Sequence, residues 1–409
     1  MTLGCLVGLS TTVTEGDSLQ EMLTADEAAA REIARLEWRL GDGGDPAALI
    51  EDFLDRYGLL APHFGRGSDL ASPDAGAECR AELFVSAAAG AYMIGKSSVP
   101  SPAPAVPDVV VVVRAPGGDA APGSGVPRAP WRLGPWRASW TPRAHADAVR
   151  SVREEISRGE VYQVNLVGHQ SADYAGDPLP ALRRVAALPG ARYGGVLTGE
   201  GWALACASPE TLFEVANGRI VTRPIKGTRP ATETGRRELL ASTKERAEHV
   251  MIVDLERNDL AHVAVTGSVL VDELYAIRRW CGLWQAESVV SARLADRVRL
   301  SDVLRALCPG GSVTGAPKLA ALDVISRLEP VGRGPSMGAY GWVTRDGIDL
   351  GLTIRTVAVD AERVHVWAGG GITWGSDPDA EVAEAAAKAD PIRAALAAPA
   401  GPAAPILDT

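Results

Sequence analysis

Three strand-length apolar runs, GGVLT (194–198), WALAC (202–206) and TLFEV (211–215), follow one another with only three or four residues between them. VYQVNLVG (161–168) reads as a strand before them, and strand-like stretches recur at 338–344, 349–359 and 363–368. Helical patterns separate these runs. Thr141 and Pro142 read as the N-cap and first turn of a helix that Gly159 stops, and further helices are expected over about 235–260, 315–328 and 379–396. Strands that come in runs, instead of alternating strictly with helices, favour an α+β fold over a doubly wound sheet. No internal repeat is visible.

Before residue 135 the pattern is looser. Residues 20–57 are rich in Ala, Glu, Leu and Arg at helical spacing, with Leu36, Trp38, Leu40, Ile50, Phe53 and Leu54 marking apolar faces. From Ser98 to Pro130 the composition turns to Pro, Ala and Gly, interrupted by the run Val109–Val113. That run reads as one strand between two irregular loops, with 115–130 mobile. The chain therefore divides into a variable N-terminal part (1–134), a sharply patterned region (135–396) and a C-terminal tail (397–409).

Composition narrows the function classes. With 409 residues, 46% apolar and 22% charged, the chain can bury a large core and is ordinary for a soluble globular protein. No run approaches the ~18 apolar residues of a membrane span, and the N-terminus lacks the basic lead-in of a signal peptide. Five scattered cysteines (Cys5, Cys79, Cys206, Cys281 and Cys308) have no C-x-x-C spacing. They argue against a disulfide framework or structural zinc, and for a reducing, cytoplasmic setting. A net charge of −10 without a basic stripe argues against nucleic-acid binding. Such a protein needs a metal, or a few placed Arg and Lys, to act on an anion.

Candidate residues for that task exist. Glu245 and Glu248 are three apart on an expected helix, so both carboxylates share one face. Alone, the pair reads as a solvated acidic face. Glu381 and Glu384 repeat the spacing on the last helix, with Lys388 one turn on. Magnesium takes a few carboxylates plus water and substrate oxygens, which two such helices across a cleft would supply. Three Gly-rich segments, PIKGT (224–228), CPGGSVTGAPK (308–318) and AGGGIT (368–373), lack the Walker order. Each alone reads as a tight turn; together they suggest backbone N–H groups meeting an anion. Arg355 in LTIRT reads equally as a buried ion pair or as a carboxylate clamp on a strand. Lys226 is a surface lysine or, if desolvated, an amine nucleophile. Glu210 is a helix-start carboxylate or a general acid of raised pKa.

Taken together, GEVYQVNL, SPE, PIKGTRP, KERAEHVMIVDLERNDL, GGSVTGAPK, the Arg-Gly of VGRG, IRT, GGGIT and EVAEAAAKA resemble the chorismate-utilising enzymes over roughly residues 135–395. The resemblance implies a large, two-subdomain, β-sandwich-like core with surrounding helices and the active site in a cleft, as in anthranilate synthase component I. Relatives that add water carry a lysine base where this chain has Gln163, so Gln163 implies the ammonia-using branch. Lys226 stands where anthranilate synthases typically have Ala and aminodeoxychorismate synthases have Lys. The resemblance therefore implies amination of chorismate at C4, giving 4-amino-4-deoxychorismate, with Lys226 as nucleophile, Glu210 as general acid, and Gln163 and Thr228 in the same catalytic group. Glu248 and Glu384 would be direct Mg²⁺ ligands, with Glu245 and Glu381 acting through water. Arg355, Thr314, Gly369, Gly370, Gly371 and Lys388 would hold substrate carboxylates.

Two positions depart from the family pattern. Ser288 stands where relatives usually have a His near the leaving C4 oxygen, and Ser336 where they have a substrate-binding Tyr. Tyr340 lies four residues along a strand, too far to replace it. Both changes put a small hydroxyl beside the substrate and imply a larger pocket, a modified substrate or weakened turnover. Ammonia would come from a separate glutamine amidotransferase subunit, because no glutaminase motif is present. The alternatives are a specialised relative acting on a chorismate-like compound and a catalytically silent, metabolite-binding paralogue.

Overall fold

An uninterrupted run of five valines demands a strand covered on both faces, and Val109–Val113 are all fully buried. The computed structural model describes residues 30–60, 64, 79–116 and 130–398. Its course begins with β1 (Ala30–Trp38), α1 (Pro46–Asp55), β2 (Arg80–Val85), α2 (Ala87–Met93) and β3 (Val109–Pro116). Two short strands, β4 (Arg132–Leu133) and β5 (Arg137–Ala138), lead to α3 (Pro142–Ser157) and the long β6 (Gln163–Ala175). After α4 (Leu179–Ala186) come β7 (Tyr193–Gly199), β8 (Trp202–Ser208), β9 (Thr211–Ala216), β10 (Arg219–Arg223) and β11 (Ile225–Pro230). Helices α5 (Glu233–Ala241) and α6 (Thr243–Ala261) precede the hairpin β12 (Leu270–Trp280) and β13 (Leu283–Arg293). Then follow α7 (Leu300–Leu307), β14 (Gly315–Ala316), α8 (Lys318–Leu328) and β15 (Ala339–Val343). The last elements are β16 (Ile348–Leu352), β17 (Thr356–Val359), β18 (Arg363–Ile372) and α9 (Pro378–Ala397).

The described strands form two sheets. Ten make one sheet in the order β1-β3-β2-β15-β16-β9-β10-β13-β11, with β12 also paired to β13. Eight make the other, β14-β6-β18-β17-β8-β7, with β4 and β5 paired to β6. Period-2 alternation explains the stacking. Along β8, Trp202, Leu204 and Cys206 join a core cluster shared with Phe213 and Leu350 of the larger sheet. Ala203, Ala205 and Ala207 face the other way, against Leu182 and Val185 of α4 and Ile392 and Leu396 of α9. Both faces of β8 are thus covered, and WALAC is apolar throughout.

The chain passes directly between the sheets twice. Pro209 and Glu210 carry it from β8 to β9, and Thr353, Ile354 and Arg355 carry it from β16 to β17. Because β9 pairs with β16 and β8 with β17, the two crossings lie side by side. The Leu352 N–H donates to the Glu210 carbonyl at 3.0 Å across that junction.

Several expectations are corrected. Residues 30–38 form a strand instead of a helix, because pairing with β3 through eight residue pairs overrides their helical composition; among the described residues of 20–57, only 46–55 are helical. Strands β1, β2 and β3 of the N-terminal part lie in one sheet with β15. The expected helix over 235–260 is two helices: Ser242 is extended and its side chain accepts from Glu245 N, starting α6 afresh. The helix expected from 315 starts at Lys318, since Gly315 and Ala316 pair with β6. The segment 349–359 is two strands, and Arg355 lies between them with φ +51°. The loop expected to be mobile at 115–130 falls almost wholly outside the described residues, as does most of the tail after 397. Among the described residues, no helix is long and apolar enough to cross a membrane.

Candidate active site

Lys226 sits on β11 immediately before a bulge. The pairing of β11 with β13 shifts register between Lys226 and Thr228, and Gly227 takes φ +73°. A Cβ at Gly227 would collide with the Glu245 carboxylate, so glycine lets α6 lie close against the strand. The consequence is that Lys226 Nζ comes within 3.6 Å of Glu248 Oε1 and donates to the Ser312 carbonyl at 3.3 Å. Thr228 is exposed on the far side of the bulge.

Ser312 links the lysine to Glu210. Its hydroxyl donates to Glu210 Oε1 at 2.7 Å, and the Ile225 N–H reaches the same oxygen at 3.4 Å. Glu210 is 6% exposed. Burial raises its pKa, while Lys226 and the Ser312 hydrogen bond oppose that rise. A buried carboxyl group and an amine are thereby held around one serine.

Two adjacent glycines on β18 draw the remaining residues together. A Cβ at Gly371 would run into the Gln163 amide nitrogen and come within 3.0 Å of Glu248 Oε1. One at Gly370 would stand 3.3 Å from Glu381 Oε2, 3.5 Å from Lys388 Nζ and 3.8 Å from Glu384 Oε1. Lys388 donates to the Gly369 carbonyl at 3.0 Å and pairs with Glu384 at 2.8 Å. Gly369, Gly370 and Gly371 therefore line a bare stretch of strand that carboxylates from both α6 and α9 approach. Among the described residues, no three His, Cys, Asp or Glu side chains already form a metal-binding group.

Arg355 is half-buried, and burial lowers its pKa. Among the described residues no carboxylate pairs with its guanidinium, so the ion-pair reading finds no partner there. Thr314 is fully buried with its hydroxyl donating to the Gly310 carbonyl at 2.8 Å. Ser336, also fully buried, donates to the Thr353 carbonyl at 3.3 Å. Tyr340 is a core residue whose hydroxyl lies over Gly195 of β7. Ser288 accepts from the Tyr275 N–H at 2.9 Å and shares a 2.6 Å hydrogen bond with His249 Nε2.

A sequence profile of the chorismate binding enzymes matches residues 112–394, and that match spans more than half of the chain. The chain belongs to the chorismate-binding enzyme family. Aminodeoxychorismate synthase component 1 of Salmonella typhimurium is 39% identical over 265 residues, covering 63% of this chain and 58% of that protein. Anthranilate synthase component 1 1 of Haloarcula marismortui is 39% identical over 251 residues, covering 60% and 51%. Among solved structures, anthranilate synthase component I from Streptococcus pneumoniae superposes with a TM-score of 0.72 at 26% identity, over 89% of this chain and 91% of that one. The chain spans a little more than half the length of the curated relatives it matches.

Within this family member, sequence reasoning missed His249 and Ser312, and quoted Arg333 only as part of the VGRG motif without a role. His249 is fully buried and lowered to about 4 by burial and then by Lys226, so it is neutral at pH 7. It follows Glu248 directly and lies four residues from Glu245, a helical spacing that would have flagged it. Ser312 sat unremarked inside GGSVTGAPK. Arg333 donates to the carbonyls of Val313 at 2.6 Å and Asn165 at 2.7 Å while pairing with Glu329, so one guanidinium ties β6 to the turn bearing Ser312. A cavity of about 1230 Å³ lies along another face of α6, lined by Met251, Leu255, Asn258 and Lys318. None of the candidate residues reaches it.

Proposed function

We propose that this chain aminates chorismate at C4 with ammonia, as the component I of an aminodeoxychorismate synthase. The observation that carries the reading is Lys226 Nζ set between Glu248 and Ser312, whose hydroxyl engages the buried Glu210. A lysine placed so close to a carboxylate and an acid suits nucleophilic attack on the ring with departure of a hydroxyl. Lys226 attacks ring C2; the ring double bonds shift, and the C4 hydroxyl leaves as water with the proton from Glu210. Ammonia then enters at C4 and Lys226 is expelled. Arg355 clamps the enolpyruvyl carboxylate with its fork of donors. Ser288 and Ser336 lend no ring to the pocket wall, which leaves a modified chorismate-like substrate as the second reading.

Magnesium fits the residues present. Glu248, Glu384, Glu245 and Glu381 offer hard carboxylate oxygens, and Glu245 Oε2 is buried without a hydrogen-bond partner among the described residues. Magnesium needs only one or two protein carboxylates beside substrate oxygens, so Glu248 and Glu384 would suffice as direct ligands. When bound, it neutralises and orients the ring carboxylate. Ammonia would come from a separate glutamine amidotransferase; the "component 1" names of the relatives support a second subunit.

The test is incubation with chorismate, MgCl₂ and ammonium salt, followed by mass analysis. The expected product is 4-amino-4-deoxychorismate, lost in Lys226→Ala. Anthranilate as product overturns the C4 assignment. Turnover of another enolpyruvyl compound alone overturns chorismate as the substrate.

A further inference from the structure

We propose that a pocket between α3, α9 and the smaller sheet binds a single aromatic ring bearing a hydroxyl. The pocket lies outside the candidate active site and has a volume of about 130 Å³. Its origin is local. Thr141 caps α3 by accepting from Ala144 N, so Trp140 precedes the cap and His145 stands one turn into the helix. Those two positions commonly staple a helix start with an apolar pair. Here the two rings stack with centroids 4.4 Å apart and planes 18° apart, and one of the pair is a histidine.

An aliphatic side chain would serve the staple and bring no nitrogens to satisfy. His145 is 5% exposed, and burial lowers its pKa with no hydrogen bond or charge opposing it. Among the described residues, neither its ring nitrogens nor the Trp140 indole N–H has a hydrogen-bond partner. Both residues line the pocket. The neighbouring His169 offers no nitrogen, because Ser139 engages one at 2.5 Å and His365 the other at 3.0 Å. Buried polar groups are otherwise paired, so the free nitrogens of His145 point to a ligand.

The other walls define what that ligand is. Gly168 and Ala368 pair in register across β6 and β18. A Cβ at Gly168 would come within 2.9 Å of the Trp140 indole nitrogen, so glycine lets the indole settle onto the strand. Val382, Ala385 and Ala389, at i, i+3 and i+7 of α9, close the opposite side with short apolar side chains. Gln170 at the rim is held by Arg393 at 2.9 Å. Water suits such a space poorly. At about 30 Å³ each, roughly four molecules would fill it, and each needs two to four polar partners. A cavity of roughly 150 Å³ holds a benzene ring. A phenolic hydroxyl completes the match: it accepts from the Trp140 N–H and donates to a nitrogen of neutral His145. On its adjoining side α9 brings Glu381, Glu384 and Lys388 up to Gly370. The occupant therefore lies against the helix that carries two of the proposed metal ligands.

The experiment titrates the full chain with phenol, benzene and ethanol. Binding is followed by calorimetry and by the ¹⁵N indole signal of Trp140, assigned with Trp140→Phe. Phenol is expected to shift that signal and to bind at least about tenfold tighter than benzene or ethanol, as one or two hydrogen bonds would give. His145→Phe keeps a ring and removes the nitrogens; it is expected to bring phenol and benzene within about threefold of each other. Ala385→Leu fills the pocket and is expected to abolish the indole shift, with Tm within a few degrees of the parent. Benzene binding as tightly as phenol, or a phenol advantage that survives His145→Phe, overturns the proposal. So does an indole signal that ignores phenol, or one that still responds in Ala385→Leu. None of these readouts needs turnover, so the pocket and the amination reading stand or fall separately.

Discussion

Lys226 Nζ stands 3.6 Å from Glu248 Oε1, with both side chains largely buried. The same carboxylate is the one proposed to bind magnesium, so the proposed nucleophile and the proposed metal ligand are neighbours. Glu248→Gln keeps the shape and removes the charge. It is expected to weaken Mg²⁺ binding at least about tenfold and to lower kcat/KM by about a hundredfold or more. Calorimetric titration with MgCl₂ and the rate as a function of Mg²⁺ check this.

Glu210 must be protonated to act as an acid, and burial raises its pKa. Activity should therefore fall as pH rises through that raised value. Glu210→Gln is expected to lose about 10²–10⁴ in kcat and to abolish the high-pH limb that depends on this carboxyl. The kcat–pH profile of both proteins decides the matter.

Gly371→Ala adds one methyl where Gln163 and Glu248 converge. Pushing the Gln163 amide aside by about 1 Å is expected to cost about a hundredfold in rate. Gly195→Ala puts its methyl into the Tyr340 hydroxyl within the core, so its loss should appear in Tm. The two measurements together separate a site glycine from a packing glycine.

Arg333 and Glu329 are a buried pair 2.6 Å apart. Arg333→Ala strands Glu329 and frees two carbonyls, and is expected to cost about 3–5 kcal/mol in a urea titration. Replacing both residues with leucine should cost less than the single change, because no charge is then left unpaired.

Glu256 of α6 is pushed up to about 8 by burial and then by Asp259, against Lys318 and Thr222. The folded protein therefore holds a proton that the unfolded chain, with its ordinary value of 4.5, has lost. Stability should fall as pH rises from about 4.5 to 8, by up to about 1.4 kcal/mol per pH unit. Glu256→Gln should flatten that slope and raise Tm by a few degrees at pH 8. Thermal unfolding at pH 5 and pH 8 measures both.

Much of this was legible in the sequence, for physical reasons. WALAC and the five valines are apolar on both faces because both faces are covered, and such runs have one reading. The glycines of AGGGIT mark a bare strand because any side chain there meets another element. Other features depend on partners distant in sequence. Ala30–Trp38 carries helical residues and becomes a strand only by pairing with β3. His249 and Ser288 are 39 residues apart, and no local spacing announces their hydrogen bond. Arg355 reads as a strand residue until the chain is seen to change sheets there. The break at Ser242 was readable: Ser-x-x-Glu is a capping signature, and it lies at 242–245.

The two crossings between the sheets give the site its gauge. Glu210 rides on one and Arg355 on the other, so both are carried where the chain leaves one layer for the next. A bulkier residue at Leu204 or Phe213 would pry the layers apart and shift both crossings while leaving Glu210 and Arg355 themselves unchanged. Interior packing therefore reaches both residues through the backbone that carries them.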